Sequence, residues 1–151
     1  MNEIERIVDQ LKRAFEGPAW HGPSVLEVLE GIRPSHAVQR PVAAAHSIWE
    51  IVLHIAVWED VVRRRALGEK FNPTEAQDWP AVATTDDAAW RETLARLSAG
   101  HHALRAVIAS FDPARLDQPL VPGGSTGYVQ FHGAVQHDLY HAGQIAVLKK
   151  A

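Results

Sequence analysis

Residues 47–68, SIWEIVLHIAVWEDVVRRRALG, form the most apolar stretch of the chain, and they restrict the fold more than any other segment. Up to Trp58 the stretch is apolar on nearly every side at helical spacing, which describes a helix buried among other helices. Ser47 followed by Glu50 forms a capping-box pattern, and Gly68 supplies a C-terminal stop. Three more long helices are predicted around it. Ile4, Ile7, Val8, Leu11 and Phe15 recur with one-sided spacing before Gly17-Pro18 ends the first. Thr85, Asp86 and Asp87 cap another that runs to about Phe111, with Trp90, Leu94, Leu97, His101, Leu104 and Ile108 as its apolar stripe. After a loop holding Pro113, Pro119, Pro122 and Gly123-Gly124, the last helix spans about Tyr128 to Lys149, where Lys149 and Lys150 complement the C-terminal dipole.

Ser24 caps a short helix carrying Val25, Leu26, Val28 and Leu29, which Gly31 and Pro34 end. A polar linker rich in Pro, Thr and Asp, with Trp79 in it, joins the second and third long helices. No strand-like alternation or internal repeat appears. The expectation is an all-α fold, a four-helix bundle with short extra helices in the loops, formed by residues 1–151 as one domain.

With 151 residues, 46% of them hydrophobic, the chain can build a substantial core. Fifteen Lys+Arg against 18 Asp+Glu give a formal charge of −3, and Arg63, Arg64 and Arg65 form no extended basic surface. Nucleic acid is therefore not an expected partner. The absence of cysteine excludes disulfides, protein thiolate nucleophiles and cysteine-ligated zinc. The opening MNEIERIVDQLKRAF has acid and base at helical spacing, unlike a signal peptide, and no stretch reaches the roughly 18 apolar residues of a membrane span. The protein is expected to be cytoplasmic.

Nine histidines remain to be placed. His21, His36, His46, His101, His102 and His132 read as surface or packing residues, with His21 and His132 candidates to line a pocket. The pair in HDLYHAGQI differs, because His137 and His141 are four residues apart on a face shared with Ala134, Ile145 and Leu148. Two imidazoles so placed can share one small ion. A third ligand must come from another helix, and His54 points inward from the most buried one, on a face with Ile51, Trp58 and Val61. Three buried imidazoles without a common partner would be costly. A tri-histidine site leaves coordination positions free, which favours chemistry over scaffolding, and nitrogen ligation suits Zn, Ni, Cu or Fe rather than Ca or Mg.

Glu50, one turn before His54, and Gln144, three residues after His141, are the candidates to orient a ligand or a bound water, with helix capping the other reading of Glu50. The segment is not an HExxH motif, since no glutamate lies between the histidines. Asp138 projects about 100° away from His137 and is expected to face solvent.

SIWEIVLHIAVWE (47–59) and HGAVQHDLYHAGQIAVLKK (132–150), with weaker support from GPAWHGPSVLEVLEGI (17–32), resemble the DinB-like superfamily of metal-binding four-helix bundles, which includes the YfiT-type proteins. The resemblance implies a divalent metal held by one histidine of the second long helix and two of the last, at positions matching His54, His137 and His141. Relatives include transferases using low-molecular-weight thiols such as bacillithiol or mycothiol, a thiol-dependent maleylpyruvate isomerase and metal-dependent hydrolases. The leading expectation is a Zn- or Ni-dependent transferase that activates a small thiol toward an electrophile, with Trp20, Trp49 or Trp58 candidates to line the cavity. A hydrolase using metal-activated water, and a non-catalytic metal-binding stress protein, are the alternatives. The resemblance also makes a homodimer compatible with the buried helix surface.

Overall fold

The computed structural model describes residues 1–151 and consists of helices: α1 (Glu3–Glu16), α2 (Val25–Leu29), α3 (Pro34–Ala37), α4 (Ile48–Ala66), α5 (Glu75–Asp78), α6 (Asp87–Ala109) and α7 (Gly127–Leu148). A 3-10 turn at Pro113–Arg115 sits in the last long connection. No strand is formed, and no helix is long and apolar enough to cross a membrane.

Local chemistry sets the helix ends. Asn2 and Glu5, Ser24 and Glu27, Ser47 and Glu50, and Thr74 and Gln77 each close a reciprocal capping box. Asp86 rather than Thr85 caps α6, and Thr126 caps α7. The four long helices lie where the periodicity places them. The four-residue helices α3 and α5 are additions to that reading. Gly17 ends α1 at φ 87°, and a β-carbon there would lie 2.8 Å from a carboxylate oxygen of Glu27. Glycine is thus required both by the turn and by the close approach of the Glu27 side chain.

Helix α4 packs on α6 and α7, and α1 packs on the same two helices, which closes the four-helix arrangement. The apolar interior divides into two clusters. One holds Ile48, Trp49, Ile51, Val52 and Ile55 of α4, Trp90 and Leu97 of α6, and Ala142, Ile145 and Leu148 of α7. The other holds Val62 and Ala66 of α4, Leu104 and Ile108 of α6, and Phe131, Ala134 and Val135 of α7. Along all three helices the gap between the clusters carries buried polar residues: His54 and Glu59 on α4 at its border, His101 on α6, and Asp138 and His141 on α7.

Asp138 corrects the sequence expectation, being fully buried rather than solvent-facing. Helix α7 is packed by α1, α2 and α4, so a 100° rotation from one buried face leads to another. Trp20, a candidate cavity wall, is instead fully exposed. Trp49 is buried against Trp90, and its indole N–H donates to Thr93 Oγ1.

Candidate metal centre

Helix α4 brings His54 to the two histidines of α7, and the three rings meet through one nitrogen each. His137 Nε2 lies 3.1 Å from His54 Nε2 and 3.1 Å from His141 Nε2. Donors at about 2.0–2.1 Å from a tetrahedral ion stand about 3.3 Å apart, close to the separation found here.

The outer nitrogens explain why the inner ones face each other. His54 Nδ1 lies 2.9 Å from the Asp78 carbonyl oxygen and 2.9 Å from its Oδ1, both acceptors, so the Nδ1–H donates. His141 Nδ1 likewise donates to Gln144 Oε1 at 2.7 Å. Both rings therefore turn an Nε2 lone pair toward His137. One N–H on His137 can serve only one of them, which leaves a lone pair directed at another nitrogen unless a cation stands between. Burial, and then the neighbouring imidazoles, lower the His137 pKa to about 3, and burial lowers that of His141. These rings are thus neutral near pH 7, the protonation state in which imidazole ligates. The geometry, the tautomers and the protonation fit a divalent metal.

The linker completes the centre. Helix α5 ends at Asp78, whose Oδ1 also accepts from the Trp58 indole N–H at 2.7 Å. Trp79 stacks on His54 with ring centroids 3.8 Å apart, and His46 stacks on Trp79 at 3.5 Å. Asp78 and Trp79 were not legible as site residues, because the linker has no periodicity and its one signal was a tryptophan in a polar stretch; His46, just before the Ser47 cap of α4, reads from sequence only as a surface or packing residue. Of the two candidates for orienting a ligand, Gln144 is the one in hydrogen-bond contact with His141. Glu50 is held by the Ser47 cap and Arg40 and makes no hydrogen bond to the three histidines. His132 pairs with Glu3 and His21 is exposed.

Two hollows reach these histidines. A cavity of about 730 Å³ is lined by His46, Trp79, Tyr140, His141 and Gln144. A smaller one of about 220 Å³ includes His137, Trp58 and Arg65. The largest hollow, about 860 Å³ between α4, α6 and the linker, carries none of the three histidines. No fourth His, Asp or Glu side chain joins the cluster.

A sequence profile of the DinB superfamily matches residues 19–145, most of the chain. The chain belongs to the DinB superfamily. The matched span of this DinB protein contains all three histidines together with Asp78, Trp79 and Gln144. No curated protein and no solved structure matches it significantly.

Proposed function

We propose that this DinB protein is a metal-dependent transferase acting with a low-molecular-weight thiol, its ion held by His54, His137 and His141. The observation that carries the reading is the convergence of three Nε2 atoms, without a fourth protein ligand, where two cavities meet the site. A closed structural centre would call for four protein ligands. When bound, the ion supplies Lewis acidity that lowers the pKa of a thiol and so makes a nucleophile available near neutral pH. Zn or Ni suits the all-imidazole donor set.

The chain's own groups bind, orient and enclose. Asp78 and Gln144 fix the ring planes of His54 and His141 through their Nδ1–H groups. Trp79 covers one face of His54 and keeps water from it. The cavity beside His141 offers space for the electrophile, with Tyr140 and Val147 among its walls. No cysteine is present, so the sulfur must come from a separate molecule.

Metal-loaded protein incubated with a panel of small thiols and electrophiles should consume thiol and electrophile together, giving thioether or thioester products seen by mass spectrometry. Turnover should require both metal and thiol and fall at least 100-fold in His141→Ala. Hydrolysis of esters, amides or phosphoesters without thiol would select the hydrolase reading instead, and metal binding without turnover of any pair would reject both.

A further inference from the structure

A second polar cluster lies where the four long helices meet. Glu59 of α4, His101 of α6 and Asp138 of α7 are 1%, 0% and 0% exposed, and Phe15 of α1 stacks on the His101 ring at 3.9 Å. His101 Nδ1 lies 2.6 Å from Glu59 Oε1. Four of the six buried side-chain atoms without a hydrogen-bond partner belong to this trio: Glu59 Oε2, His101 Nε2 and both oxygens of Asp138. No lysine or arginine pairs with either carboxyl group. Burying carboxylates without donors or cations is among the most unfavourable arrangements a core can hold.

Either protons on the carboxyl groups or a cation must therefore compensate them. His101 is not that cation, since burial lowers its pKa to about 3. Protons on the two carboxyl groups would neutralise them, yet would leave His101 Nε2 and both Asp138 oxygens without partners. A divalent ion can take one atom from each side chain, and it neutralises two carboxylates. The three side chains offer ligand atoms that all lie within 4.8 Å of one another.

We propose that Glu59, His101 and Asp138 form a second metal site inside the bundle, which takes a divalent first-row transition ion. One imidazole and two carboxylates make a harder donor set than three imidazoles, suited to Zn, Mn or Fe. The 220 Å³ cavity is lined by Glu59, Asp138 and His137, so it gives a small ion access to this cluster and connects it to the three-histidine centre. The inference uses a separate ligand set and stands independently of the thiol reading.

Metal-stripped full-length protein equilibrated with Zn²⁺ and assayed by elemental analysis should bind two ions per chain. Asp138→Asn and Glu59→Gln should each lose one, and the combined His54→Ala/His137→Ala variant should lose the other. X-ray absorption of zinc in that combined variant should show one imidazole among oxygen ligands. Saturation of wild type at one ion that disappears with His137→Ala would overturn the proposal, leaving the carboxyl groups to share a proton. So would a second ion that persists in both carboxyl variants, or an absorption shell of several imidazoles, either of which would place it on surface histidines.

Discussion

The outer nitrogen of His141 matters as much as its inner one. Its bond to Gln144 selects the tautomer that aims a lone pair at His137, so removing the acceptor frees the ring to rotate and to change tautomer. Gln144→Leu should weaken metal binding about tenfold to a hundredfold, while leaving the metal-free fold intact; chelator competition alongside thermal denaturation checks both. Among individual residues, those on helices were the legible ones. His137 and His141 declared themselves by their four-residue spacing, and His54 by lying on an apolar face of the most buried helix. Asp78 and Trp79 could not be found that way, because a linker positions side chains through its own fold rather than by a repeating angle. Asp138 was misread for a related reason: helical rotation says how far apart two side chains point, not what packs against each.

Among the elements, α4 has the most demanding start. Ser47 is buried, its hydroxyl accepts from Glu50 N at 3.2 Å, and Glu50 Oε2 accepts from Ser47 N at 2.7 Å. Ser47→Ala should destabilise the protein by about 1 kcal/mol, measured as a lower urea midpoint in the metal-free state, because the first-turn amide loses its partner away from solvent. The long helices were readable because their caps and apolar periods agree. Helices α3 and α5 are too short to show a period. Each follows a local start signal, Pro34 for α3 and Thr74 with Gln77 for α5. Such signals also occur in plain turns, so sequence does not separate the two.

For the whole molecule, two apolar clusters separated by buried polar residues make stability depend on pH. In the metal-free protein burial raises Asp138 to about 8 and raises Glu59, where the neighbouring Asp138 charge adds to the effect. Unfolded, such groups titrate near pH 4, so the native state holds the extra protons and stability falls as pH rises toward 8. His101 and His137, lowered to about 3, act in the opposite sense below about 6.5, where the unfolded chain takes up protons. Above 6.5 the histidine contribution fades and that of the carboxyl groups dominates. Urea midpoints should fall across that interval, and Asp138→Asn should flatten the fall; a wild-type midpoint unchanged between those pH values would contradict it. The placement of the three histidines also ties distant parts of the chain to one another. His54 and His137 are 83 residues apart in the chain, and the acceptor for His54 comes from the linker in between. Closing a loop of that length costs chain entropy, which the packing of α4 against α7 must offset for the three rings to converge. An ion at this centre would tie together helices from opposite halves of the chain.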